Sequence, residues 1–193
     1  SSDLYCDKNN LATQERLGLF TSVCKAVQHA HQKGILHRDL KPTNVLVSVM
    51  DGEAVPKVID FGLAKAAEQN LKLTDQTMMT EFGAVVGTLQ YMSPEQAELK
   101  GVDADAVDTR TDVYSLGVML YELLTGGPPF SEEELRKSGY LEMQRVIREQ
   151  EPARPSTKLS TLGPALTDIA EYRRSAPALR RKTIRGELAG IVR

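Results

Sequence analysis

Asp39, Lys41 and Asn44 stand within six consecutive residues, and a second carboxylate, Asp60, follows sixteen positions after Asn44. Side chains of these types can do three chemical jobs at one place. A carboxylate can take a proton as a bond forms, a task typically worth about 10²–10⁴ in rate. Carboxylate and carboxamide oxygens suit a hard divalent cation, which accepts a few protein oxygens and leaves other positions open. The ammonium of Lys41 brings a compact positive charge two residues from the Asp39 carboxylate. Each residue also has a plainer reading. Asp39 can be a turn residue ahead of Pro42, and Asp60 a strand-end cap ahead of Phe61-Gly62.

The elements that must hold these residues can be read from apolar spacing. Leu17, Phe20, Cys24 and Val27 recur at steps of three and four, which predicts a helix with one buried face, and Gly34 stands where such a helix would be capped. Ile35-Leu36, Val45–Val47 and Val55–Ile59 are short and rich in β-branched residues, so they read as strands, the last two joined at Asp51-Gly52. The motif residues then sit on the connections between strands. Residues 66–86 are polar and aperiodic and predict a long connection carrying Thr74, Thr77 and Thr80. Asp112 to Leu124 is apolar nearly all round, the pattern of a central helix, and Thr125–Pro129 ends it. Ser131 to Glu134 spells a capping box. Pro152, Pro155, Gly163 and Pro164 mark an irregular stretch before helical spacing returns near Leu166. At Ile184, Leu188 and Ile191 the spacing is helical again and breaks off uncapped at Arg193, which points to a chain cut short there.

Composition excludes several classes. Lys plus Arg number 24 against 26 Asp plus Glu, a net charge of -2 that gives no electrostatic case for nucleic acid or an anionic membrane. The basic group Arg173-Arg174 and Arg180–Lys182 has no interleaved aromatics and reads as a solvated helix face. Cys6 and Cys24 are too few and too far apart for a disulfide framework or a zinc motif. No apolar run approaches the roughly 20 residues of a membrane span, and the first residues have no signal-peptide pattern. The expectation is a soluble cytoplasmic protein with no membrane segment in this stretch. His29 and His31 invite a metal reading, but residues two apart point to different sides of a helix, so both are expected to be solvated.

Three strings occur in order: His37-Arg38-Asp39-Leu40-Lys41-Pro42-Thr43-Asn44, then Asp60-Phe61-Gly62, then Gly87-Thr88-Leu89-Gln90-Tyr91-Met92-Ser93-Pro94-Glu95. Together they resemble the catalytic loop, magnesium motif and activation-segment end of a protein kinase. Asp112-Val113-Tyr114-Ser115-Leu116-Gly117 resembles the start of that family's central helix. The spelling through Ser93-Pro94-Glu95-Gln96 is most similar to bacterial Ser/Thr kinases.

The resemblance implies a fold that is mostly α with a small β component, the large C-terminal lobe of a kinase with its small β lobe missing. Residues 1–193 would be a partial kinase domain with its catalytic loop at 37–44 and its activation segment at 60–95. It implies transfer of a phosphoryl group from ATP, with Mg²⁺, to Ser/Thr hydroxyls of protein substrates. Asp39 would accept the hydroxyl proton, Lys41 would reach the γ-phosphate, and Thr88 would complete the Ser/Thr-type site. Asn44 and Asp60 would hold Mg²⁺, and Leu46 would lie beneath the adenine. Arg38 would pair with a phosphate on one of Thr74, Thr77 or Thr80. His37 would pack structurally, Glu95 would be an anchor, and Asp112 would clamp the catalytic-loop backbone.

Only 36 residues precede His37, with no G-x-G-x-x-G among them and no strand lysine to pair with a helix glutamate. The implied partner is therefore an N-terminal lobe that roofs the ATP site, and the chain alone is expected to transfer phosphate weakly or not at all while exposing an apolar upper face. No arginine near the end is a convincing partner for Glu95. The alternative is a catalytically silent lobe that acts as a binding module. A small-molecule phosphotransferase would share the aspartate and magnesium logic, but the Gly87–Glu95 string, a peptide-docking platform in protein kinases, speaks against it.

Overall fold

Glu15 reaches back to the backbone N–H of Ala12 at 2.6 Å and opens a 20-residue helix, Thr13–Gln32, here α2. The computed structural model describes residues 2–61, 89–97, 107–136 and 140–161. The deepest residues of α2 are Arg16, Val23, Val27 and Ala30, while Leu17, Phe20 and Cys24 are half-buried. The buried face is thus turned from the predicted stripe toward the neighbours that α2 meets, a hairpin strand and the central helix. At its end Gly34, with φ +72°, donates to His31 O, and Ile35 N–H returns to Ala30 O. This closes the last turn and satisfies carbonyls that would otherwise be orphaned.

A short helix, α1 (Ser2–Lys8), precedes α2 and packs on the first hairpin strand and on the 3₁₀ turn Pro42–Asn44. It is tied to α2 by Arg16. That guanidinium donates to Leu11 O, Cys6 O and the Asp7 carboxylate at 2.9, 3.2 and 2.8 Å. A buried guanidinium is tolerable only when its donors are matched in this way.

Strands β1 (Val45–Met50) and β2 (Glu53–Val58) pair antiparallel from Val45↔Val58 to Met50↔Glu53. Asp51 and Gly52 both have positive φ, 52° and 84°, the two-residue turn whose twist matches that of the strands. Ile35-Leu36 does not form the predicted strand; the sheet among the described residues is made of β1 and β2 alone.

The central helix, α3 (Thr109–Thr125), begins three residues before the predicted start, with the Asp108 carboxylate accepting from Arg110 N–H at 2.8 Å. It is buried along most of its length, though Val113 is exposed, and its first turns bury polar Thr111, Asp112 and Ser115. After Gly126, Ser131 and Glu134 form the expected reciprocal cap of α4 (Glu132–Arg136). Helices α5 (Tyr140–Glu149) and α6 (Pro155–Thr161) follow. Pro155 opens α6 rather than extending an irregular stretch, a position where its missing N–H costs nothing.

Among the described residues the buried apolar side chains fall into three clusters, two of which include residues of α3. Val23, Val27, Leu40, Val45 and Met119 join α2, the 37–44 loop, β1 and α3. Leu120, Leu124 and Leu159 seat α6. Leu89, Ala97, Phe130, Leu135, Met143 and Ile147 join residues 89–97 to α4 and α5. The described chain is mostly helical with one small sheet, as expected. The predicted connection at 66–86, Thr88, the basic group and the C-terminal helical spacing lie outside the described residues.

Candidate active site

The 37–44 loop is held by a single buried carboxylate. Asp112 accepts the backbone N–H of His37 at 2.8 Å and that of Arg38 at 2.7 Å, one on each oxygen. His31 Nε2 reaches the same Oδ2 at 2.7 Å. Three donors offset the cost of a carboxylate fully removed from water. Asp112 is therefore a backbone clamp, and His31 is its third partner. The expectation that His31 is solvated is wrong. His31 does lie at the helix end, but the first turn of α3 packs against that end; His29 is exposed.

His37 is fully buried, and its two nitrogens face opposite kinds of group. Nε2 lies 2.9 Å from Ile59 O, which can only accept, and Nδ1 lies 3.3 Å from Asp39 N, which can only donate. The ring is thus the neutral Nε2–H tautomer. It also packs against Phe61, with centroids 4.7 Å apart. His37 is a post between the loop and the end of β2, so Asp39 and Asp60 are referenced to the same side chain.

Leu40, 1% exposed, sinks the middle of the loop into the core. On either side of it, Lys41 Nζ sits 3.1 Å from Asp39 Oδ2. Asn44 Nδ2 donates to Asp39 O at 2.8 Å and approaches Oδ2 at 3.4 Å. Ile59 N–H donates to Asn44 O, bringing Asp60 to the neighbourhood of Asn44. Asp60 itself has φ +55° and an exposed side chain. Leu46 is 45% exposed on β1, and Ile35, Val49 and Met50 are exposed apolar residues as well.

Four of the predicted site residues, Asp39, Lys41, Asn44 and Asp60, are therefore gathered, with Leu46 two residues along the strand from Asn44. Thr88 falls outside the described residues. Asn44 Oδ1 and the Asp60 carboxylate are the oxygens that the sequence reading assigns to a cation. Asn44 commits its nitrogen to Asp39, and no described residue donates to its Oδ1 or to the Asp60 carboxylate. Among the described residues no group of three or more His, Cys, Asp or Glu forms a protein-only metal cage. Two protein oxygens, with the rest of the shell supplied by phosphate and water, fit the coordination habits of Mg²⁺.

Residues 89–97 approach the loop from the other side. Glu95 accepts from Thr111 Oγ1 at 2.7 Å and is an anchor to α3. Ser115 Oγ donates to Tyr91 O at 2.7 Å, and Tyr91 OH donates to Glu122. Burial, and behind it the Glu95 charge, raises the Tyr114 hydroxyl above its usual pKa. Gln96 bridges 89–97 to Arg38. Sequence reasoning assigns no role to Gln96, Thr111, Ser115 or Arg16; Thr111, Ser115 and Arg16 matter because they are buried, and Gln96, half-buried, because its amide reaches Arg38 O.

The protein kinase domain model matches residues 2–181. The chain belongs to the protein kinase family. It is 46% identical over 117 residues to Serine/threonine-protein kinase PknB of Mycobacterium leprae, an alignment covering 61% of this chain and 17% of that protein. Over 142 residues it is 43% identical to Probable serine/threonine-protein kinase CE0033 of Corynebacterium efficiens, covering 74% and 19%. Over 156 residues it is 38% identical to PknB of Mycobacterium tuberculosis, covering 81% and 22%. The chain thus spans about a fifth of the length of these curated relatives. Within the family the Asp112 clamp and the gathered loop residues have an immediate reading, while the relatives' further length lies beyond the alignments. Among the described residues no helix is long and apolar enough to cross a membrane.

Proposed function

We propose that the chain is the large lobe of a cytoplasmic Ser/Thr protein kinase, a partial kinase domain with its catalytic loop at 37–44 and its activation segment at 60–95. The observation that carries this reading is the pinning of Asp39 between Lys41 and Asn44, at 3.1 Å and 3.4 Å from one carboxylate oxygen. Phosphoryl transfer asks the protein for position and charge rather than covalent chemistry. Asp39 takes the proton as the substrate hydroxyl oxygen bonds to the γ-phosphorus of ATP and the bond to the β-phosphate oxygen breaks, releasing ADP. Lys41 moves its charge from Asp39 toward the transferring phosphate, and Thr88 completes this side of the site. Asn44 and Asp60 are the residues that would hold Mg²⁺, which when bound neutralises phosphate charge. Leu46 offers an apolar floor to the adenine, and an N-terminal lobe supplies the roof.

Arg38 is half-buried and makes no ion pair among the described residues. Phosphate on Thr74, Thr77 or Thr80 would give it a charge-assisted partner. In the longest form of the protein that transfers phosphate, Asp39→Asn should abolish transfer to Ser/Thr peptides, and replacing all three threonines by alanine should lower it. This chain alone should bind Mg·ATP weakly and transfer little. Robust transfer by the chain alone would show that no further lobe is required. Transfer that survives Asp39→Asn would defeat the assignment of the base and favour a binding module instead.

A further inference from the structure

The peptide unit that leads into Asp39 is gripped on both of its polar atoms. Its N–H, belonging to Asp39, points at His37 Nδ1 at 3.3 Å. Its C=O, belonging to Arg38, accepts from Gln96 Nε2 at 2.8 Å. The preceding amide, Arg38 N–H, is held by Asp112. Arg38 has φ +64°, a left-handed conformation that is unfavourable for a non-glycine residue and persists only where its surroundings enforce it.

The orientation of Gln96 is forced by chemistry. Its other amide atom, Oε1, faces Ser93 N at 3.2 Å and Ser93 Oγ at 3.3 Å. A backbone N–H needs an acceptor and a carbonyl needs a donor, so only one of the two flip states satisfies both ends. Gln96 is therefore a two-ended cross-link between residues 93–96 and the 37–44 loop, 58 positions apart in sequence.

We infer that Gln96 is a positioning residue for Asp39, fixing the plane of the Arg38–Asp39 peptide from the segment 89–97. Turning that plane would release the Asp39 N–H from His37 and swing the Asp39 side chain away from Lys41 and Asn44. The inference deepens the proposed kinase reading and rests on it for its catalytic consequence, while the cross-link itself can be tested without catalysis.

Gln96→Glu separates the two ends. It keeps an acceptor for Ser93 and replaces the donor toward Arg38 O with an oxygen. Amide hydrogen exchange on the chain as it stands should show Asp39 exchanging at least about fivefold faster, with the amides of α3 around Met119 unchanged. The uncharged Gln96→Leu should give the same acceleration if the glutamate variant fails to fold. Ser93→Ala should leave Asp39 exchange as it is. In the longest form that transfers phosphate, Gln96→Glu should lower kcat about five- to tenfold with KM for ATP unchanged. Unchanged exchange at Asp39 in both Gln96 variants, or equal acceleration throughout α3, would overturn the inference. If Asp39→Asn abolishes transfer while Gln96→Glu transfers normally, the positioning role fails and the kinase reading stands. If transfer survives Asp39→Asn, the kinase reading fails and the exchange result still decides the cross-link.

Discussion

His31 Nε2 and Asp112 Oδ2 lie 2.7 Å apart across 81 residues of sequence, joining the last turn of α2 to the first turn of α3. The carboxylate has no exposed surface and the imidazole little, so the bond operates in a dry setting where a charged acceptor counts for more. His31→Leu should destabilise the chain by about 1–2 kcal/mol, because Asp112 keeps its two backbone donors. Asp112→Ala should cost at least about 3 kcal/mol, because it strands the N–H groups of His37 and Arg38. Combined, the two should cost scarcely more than Asp112→Ala alone. Urea unfolding of the four proteins closes this cycle, and simple additivity would show that His31 is not coupled to the carboxylate.

Arg16 poses a question of shape as well as charge. Its fork serves two carbonyls and one carboxylate from a residue only 4% exposed. Arg16→Met should lose about 2–3 kcal/mol by removing the donors to Leu11 O, Cys6 O and the Asp7 carboxylate and loosening α1 from α2. Arg16→Lys should recover little of it, since one ammonium cannot reproduce the planar fork. Full recovery by lysine, measured as the urea midpoint, would reduce the role of Arg16 to its charge.

Tyr121 donates to Ala153 O at 2.8 Å, and burial, with the Glu134 charge behind it, pushes its hydroxyl up to about 12. An unfolded tyrosine ionises near pH 10. Between about pH 10 and 12 the unfolded chain gives up this proton while the folded one retains it, so stability falls as pH rises through that window and is fully present below it. Tyr121→Phe should be less stable by about 1 kcal/mol at pH 8, for want of the hydrogen bond. That deficit should shrink above pH 10 and reverse near pH 11. A constant difference between the two proteins from pH 8 to 11.5 would contradict this.

Gln144 is 4% exposed on α5, and its Oε1 is buried with no hydrogen-bond partner among the described residues. An unmade bond at a buried acceptor costs about 1–3 kcal/mol, and an apolar side chain of similar length carries no such cost. Gln144→Met should therefore be neutral or stabilising by up to about 1 kcal/mol. A loss above about 1 kcal/mol in thermal or urea unfolding would mean that the amide is satisfied after all.

Much of this arrangement is legible in the sequence because it is local. The turn at Asp51-Gly52, the cap at Ser131–Glu134, the end of α2 and the spacing from Asp39 to Asn44 all depend on neighbours within a few residues. Where long-range packing decides, the reading was weaker. Ile35-Leu36 have strand-forming side chains and no partner strand among the described residues. The buried face of α2 turns toward Val23 because the hairpin and α3 approach there. His31 looked solvated because nothing within α2 announces that Asp112 will arrive beside it. Gln96 ends a recognised string, yet its amide acquires meaning only when the loop folds back to it.

Two of the apolar clusters share no side chain. Leu40 and Val45 belong to the one that contains the 37–44 loop, whereas Phe130, Leu135, Met143 and Ile147 belong to the other. Residues 89–97 contribute to both, Leu89 and Ala97 to the second and Tyr91 to the edge of the first. Sequence change in α4 and α5 can then be absorbed within its own cluster, and the energetic effects of substitutions in the two clusters should add. A lineage could redraw the surface built on α4 and α5 many times over while inheriting the geometry around Asp39 intact, with the short stretch around Tyr91 and Gln96 as the place where the two histories must agree.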